Sequence, residues 1–148
     1  MFRTVLQTEL DRRQAANARY SLRAFARALA IDHSALSQIL RGKRRVTARK
    51  VRALGPRLHL SAAAIAEHCA IEHESAVIAA LERPGFRADS RWVASIAGIP
   101  LDEVNVTLQR LLRKRVVTMS SSTRWERHIM EREGFSRAIA ARQGEQRG

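Results

Sequence analysis

Apolar residues recur every three or four positions through most of this chain, the spacing that keeps one face of a helix against a core. Phe2, Val5, Leu6 and Leu10 form one such stripe and predict a first helix over residues 2–17. Leu22, Phe25, Ala26 and Leu29 form the next, with Ser21 placed to cap it. Ala26 is small enough to let a following helix cross closely. That helix opens at Asp32, a good N-cap, and turns Leu36, Ile39 and Leu40 inward. His33 and Ser34 fall in its first turn, while Ala35, Ser37, Gln38 and Arg41 fall on its other faces. Gly42 ends it.

Thr47 is placed to cap a fourth helix that runs to Leu54, with Val51 and Leu54 inward. Gly55-Pro56 breaks the pattern, and Ser61 can cap a helix over SAAAIAEHCA. Residues 1–70 are therefore expected to form one domain of four or five short helices. HESAVIAALE reads as a separate helix before the break at Glu82-Arg83-Pro84-Gly85. Ser90 can cap a helix carrying Trp92, Val93, Ile96 and Ala97, and Gly98-Ile99-Pro100 makes a turn. Leu101 to Arg113 then repeats the helical spacing with Val104, Leu108, Leu111 and Leu112. Val116 to Met119 is β-rich, and SSST before Trp125 predicts a hairpin. Residues 71–126 thus read as a small winged-helix-like domain, and residues 127–148 as a C-terminal helix with a flexible tail.

Charge changes the picture. Residues 1–60 hold 14 Lys or Arg against 3 acids, a net of +11, while residues 61–148 hold 13 against 11, a net of +2. Eight basic residues and no acid lie between Arg41 and Arg57. A merely solubilising surface would mix signs or spread the excess, so this cluster points to a polyanion partner. Composition narrows the class further. An apolar share of 45% supports a core, and an aromatic share of 5% suits Leu/Ala-rich helices better than a β-sandwich. A single cysteine, Cys69, excludes an internal disulfide and fits a reducing compartment. No apolar run approaches the ~18 residues of a membrane span, and the N-terminus lacks the continuous apolar centre of a secretion signal. The expected location is cytoplasmic, at the nucleoid.

Two helices, a tight turn and a basic cluster, as in YSLRAFARALAIDHSALSQILRGKRR, are the parts of a helix-turn-helix that enters the major groove. Over roughly residues 5–60 the chain resembles the lambda-repressor-like helix-turn-helix of the bacterial Xre family. The likeness rests on Ala26, Ile31, Ser37, Ile39 and Gly42-Lys43. Ala30 stands where that family usually has glycine, which costs strain if the turn needs a positive φ. More narrowly, the phrases FRADSRW and EVNVTLQRL resemble a group of bacterial proteins that place an Xre-like motif before a winged-helix-like region. The narrower resemblance implies a DNA-binding regulator, and the chain's own pattern gives a mainly α fold with a short hairpin.

The site expectations follow. His33, Ser34, Ala35 and Gln38 are assigned to base edges, with Gln38 suited to adenine and the short Ser34 and Ala35 to a thymine methyl. Ser21, Arg41, Lys43, Arg44, Arg45 and Arg49 are assigned to phosphates. In the second motif Asp102, Glu103, Asn105, Thr107 and Gln109 begin with carboxylates that repel phosphate, while Arg110, Arg113, Lys114 and Arg115 can hold backbone from the other end. A protein-contacting surface and a second DNA contact stand level there. Cys69 and His73, with His68 adjacent, lie at a helical metal spacing, but no second Cys/His pair supports a site, and a buried cysteine with surface histidines is the better reading. Trp92 and Trp125 read as core. There is no glycine-rich phosphate loop or G-x-S-x-G elbow, so neither enzyme, metal nor cofactor is expected. The expectation is a homodimeric transcription regulator on double-stranded DNA, without a membrane partner. The alternatives are an architectural DNA-coating protein and an antitoxin-like adaptor.

Overall fold

Phe2, Leu6 and Leu10 are each one helical turn apart, and all three are buried on one side of helix α1, Phe2–Ala16. The computed structural model of the chain describes residues 1–127. Among these, seven α-helices are followed by one antiparallel pair of strands. The predicted C-terminal helix and tail, residues 127–148, lie outside the described residues but for Arg127.

Contacts divide the chain into two units, Met1–Ser75 and Ala76–Gly148. In the first, α2 (Leu22–Leu29), α3 (His33–Leu40) and α4 (Ala48–Leu54) follow α1. A single 3-10 turn, Pro56–Leu58, then leads into α5, Ala62–Leu81. Phe25, Leu29, Leu36, Ile39, Val51 and Leu54 join the α1 stripe in one core. Each large side chain there contributes roughly 1.5–3 kcal/mol by leaving water. The caps fall where short polar side chains allow them. Ser21 Oγ accepts from the Ala24 N–H at 3.1 Å, Asp32 Oδ2 from Ala35 at 3.0 Å, and Thr47 Oγ1 from Lys50 at 3.3 Å. Ser61 Oγ accepts from Ala64 at 3.1 Å.

One boundary differs from expectation. The two helices expected around residues 61–70 and 73–82 are a single helix of 20 residues, and the division between units falls inside it, after Ser75 rather than at residue 70. Neither Gly nor Pro interrupts residues 62–81, so nothing stops the helix. Glu72 and His73, both buried, break the apolar stripe without breaking the backbone.

The second unit has its own core of Val77, Ala80, Val93, Val104, Leu108, Leu111 and Val117. It is built from the end of α5, α6 (Ser90–Ala97) and α7 (Leu101–Arg113). The cap of α6 is Asp89 and not Ser90: the Asp89 carboxylate accepts from the Arg91 N–H at 2.9 Å. Strands β1 (Val117–Ser121) and β2 (Arg124–Arg127) pair Val117 with Arg127 and Met119 with Trp125, with an irregularity between Met119 and Ser121. Trp92 and Trp125 pack half-buried against this core, each beside Phe86, with ring centroids 5.7 and 6.0 Å away.

Candidate nucleic-acid interface

The turn between α2 and α3 is closed by the backbone alone. The Ala30 N–H donates to Arg27 O at 3.1 Å and the Ile31 N–H to Ala26 O at 3.0 Å. That pattern requires a left-handed residue at position 30, and Ala30 adopts it with φ 51° and ψ 44°. Ile31 packs against the core and Asp32 then caps α3. The far end of α3 closes in the same way. The Gly42 N–H donates to Ile39 O at 3.0 Å and the Lys43 N–H to Gln38 O at 2.9 Å, with Gly42 at φ 73°. Here the left-handed position carries the residue that adopts it without strain.

With both ends fixed, the outer face of α3 presents His33, Ser34 and Gln38 to solvent. Ala35 is the correction. It is 6% exposed and belongs to the inner face, so its methyl is turned away from any ligand on the outer face. Three residues beyond Asp32 it lies on the same stripe as Leu36 and Ile39, which the helix turns inward together.

Ser21, Arg41, Lys43, Arg44, Arg45 and Arg49 are all exposed. Among the described residues none of these cations has a carboxylate partner; Arg45 Nη2 donates instead to the main-chain oxygen of Glu72 at 3.3 Å. The first unit does hold ion pairs, but on α1. Glu9 receives Arg12 at 2.8 Å and Arg13 at 2.7 Å. Hydrogen bonds from Arg12 and then Arg13 hold its carboxyl down at about 2. Arg13 also donates to the Tyr20 hydroxyl at 2.8 Å and lies over the Phe25 ring at 5.2 Å, tying the end of α1 to the start of α2. Glu9 is thus engaged within α1, and Asp32 is engaged in its cap.

Sequence reasoning missed two contributors. Arg3, in the first turn of α1, lays its guanidinium over Gly42, where a β-carbon would collide with it. Glu72, 7% exposed, accepts the Phe2 N–H at 3.4 Å and so caps α1 from a distance of 70 residues. Met1, Arg3, Gly42, Arg44, Arg45, Val46 and Glu72 together line a cavity of about 140 Å³. The available signal was an arginine in a helix's first turn, where the dipole disfavours it.

In the second unit Arg113, Lys114 and Arg115 are exposed and Arg110 is half-buried. Thr107, expected on the recognition face of α7, is 1% exposed, and its hydroxyl has no hydrogen-bond partner. Asp102, Asn105 and Gln109 are exposed beside Leu101 and Val106, which are 40% and 51% exposed. Cys69 is buried and its thiol donates to Ala48 O at 3.6 Å; His73 is buried rather than on the surface. No group of three His, Cys, Asp or Glu among the described residues could hold a metal ion. No described helix is long and apolar enough to cross a membrane. Compared with family models, curated proteins and solved structures, the chain matches none.

Proposed function

We propose that this chain is a sequence-preferring double-stranded DNA-binding protein and a transcription regulator, with α2 and α3 as its Xre-type helix-turn-helix. The observation that carries the reading is the join between two surfaces. An exposed polar face on α3, His33, Ser34 and Gln38, runs directly into Arg41, Lys43, Arg44 and Arg45, cations with no carboxylate partner among the described residues. The polar face reads base edges, with Gln38 on adenine, and the cations with Ser21 and Arg49 hold phosphates. Ser21 keeps its hydroxyl proton for a phosphate because its cap uses only the oxygen lone pair.

Helix α3 has 8 residues and is therefore about 12 Å long. One such helix spans only a few base pairs, so specificity calls for a homodimer on an inverted repeat. The second unit is read as a partner-protein surface, on the exposed Leu101 and Val106 beside Asp102. Arg113, Lys114 and Arg115, with Arg110, remain a second backbone contact under the DNA reading of that unit.

The test is selection of bound sites from a random duplex pool at about 0.15 M salt, where weak phosphate contacts are screened. An inverted repeat supports the regulator, and Gln38→Ala then costs about 1–3 kcal/mol on that site while leaving random duplex unaffected. A pool that binds without a motif refutes sequence preference and leaves the architectural reading.

A further inference from the structure

We infer that Arg3, Arg44 and Arg45 form a clamp for one phosphodiester of a bound duplex, joining the start of α1 to the DNA backbone. The inference rests on the reading of the first unit as a duplex binder and adds to it a contact from a different helix. Three arginines line one cavity of about 140 Å³ with a single acidic residue, Glu72. The excess of two positive charges has no other counter-ion among the described residues. Glu72 Oε1 is turned to the Phe2 N–H, and Arg45 is held by the Glu72 carbonyl oxygen, which fixes its direction without neutralising it.

Arg3 is the informative member. A cation in the first turn of a helix opposes the dipole, and like charges in one cavity repel, so the arrangement is unfavourable for the free protein. Gly42, lacking a β-carbon, lets the tip of the Arg3 guanidinium reach the chain end-on where α3 ends and the basic segment begins. Three arginines around one opening carry the planar forks that suit the oxygens of a phosphodiester. The carboxylate beneath them favours a singly charged diester over a doubly charged free phosphate. A duplex backbone passing along α3 brings such a diester past Arg44 and Arg45.

The experiment is fluorescence anisotropy on the full chain with a labelled random-sequence duplex of about two helical turns, titrated over a range of salt. Arg3→Gln keeps much of the stem over Gly42 and removes the charge; Arg3→Ala removes both. Arg12→Ala, at the other end of α1, removes one charge as a control. Each phosphate contact contributes about 0.9 to the slope of log affinity against log salt. Both Arg3 variants are therefore expected to flatten the slope by about 0.9 and weaken binding about fivefold at ~0.15 M, with Arg12→Ala at the wild-type slope. Arg3→Lys should restore the slope. Arg3 variants with the slope of wild type or of the control overturn the clamp while leaving duplex binding in place. A wild-type chain that does not bind duplex removes the reading of the unit itself, and the clamp with it.

Discussion

Ala30→Gly is expected to stabilise the first unit by about 0.8 kcal/mol. Ala30 lies at φ 51°, where the β-carbon of an L-residue crowds the next carbonyl at a cost of roughly 1–2 kcal/mol. Glycine escapes that crowding, but its freer unfolded chain gives back about 0.4–1 kcal/mol. Nothing else enters the balance. Ala30 is exposed, so no burial is lost, and it follows the last residue of α2, so helix propensity is unaffected.

For the 75 residues of Met1–Ser75, 0.8 kcal/mol corresponds to a rise of about 5 °C in Tm. The second motif supplies the mirror experiment. Gly98 ends α6 at φ 68°, and a β-carbon there would meet no atom within 4 Å. Gly98→Ala should therefore lower stability by about the same amount through backbone strain alone. Both tryptophans, Trp92 and Trp125, pack against the second core, so their fluorescence reads Gly98→Ala. Far-UV circular dichroism in urea reads Ala30→Gly. An Ala30→Gly midpoint that stays put or falls, while Gly98→Ala is destabilising, would refute the left-handed turn at residue 30.

Thr107→Val should stabilise the second unit by about 1 kcal/mol, since the buried hydroxyl makes no hydrogen bond and the shapes match; a loss in the tryptophan-monitored urea midpoint would show that the hydroxyl is satisfied. Glu9 is held at about 2 against an ordinary 4.5, so its ion pairs contribute fully above pH 4.5 and are lost as pH falls through 2. Glu9→Gln should lower stability near neutrality by about 0.5 kcal/mol and level with wild type below pH 2; a gap that persists in acid would mean the contact is not ionic. Arg44→Ala should weaken cognate and random duplex alike and flatten the salt slope by about 0.9, and unequal losses would make it a base contact instead.

The helices of the first unit are legible because their signals are local. Ser21, Asp32, Thr47 and Ser61 cap helices within three residues of themselves, and Phe25, Leu36 and Val51 keep to helical spacing. Helix α5 is the failure, and its cause is local too. The polar residues Glu72 and His73 interrupt the apolar stripe between the two expected helices, and only packing shows both inside. The one-residue error at Asp89 has a similar origin, since aspartate and serine compete as caps and spacing does not separate them.

The candidate site divides along the same line. Charge is additive along a sequence, so the basic cluster after Gly42 and its lack of neighbouring acids could be read without coordinates. Facing is less secure on a helix of 8 residues, where an error of one position moves a side chain by about 100°. That is how Ala35 was expected outside and lies in the core, and how Thr107 was expected on the outer face of α7. Convergence is not legible at all. Arg3 and Gly42 are 39 positions apart, and Phe2 and Glu72 are 70 apart; no periodicity links either pair. Arg3 meets Gly42 because α1 packs on α3, so the start of α1 is brought to the segment that leaves α3. A cation that looks misplaced on its own helix, as Arg3 does against the dipole of α1, is the trace that such a long-range meeting leaves in a sequence.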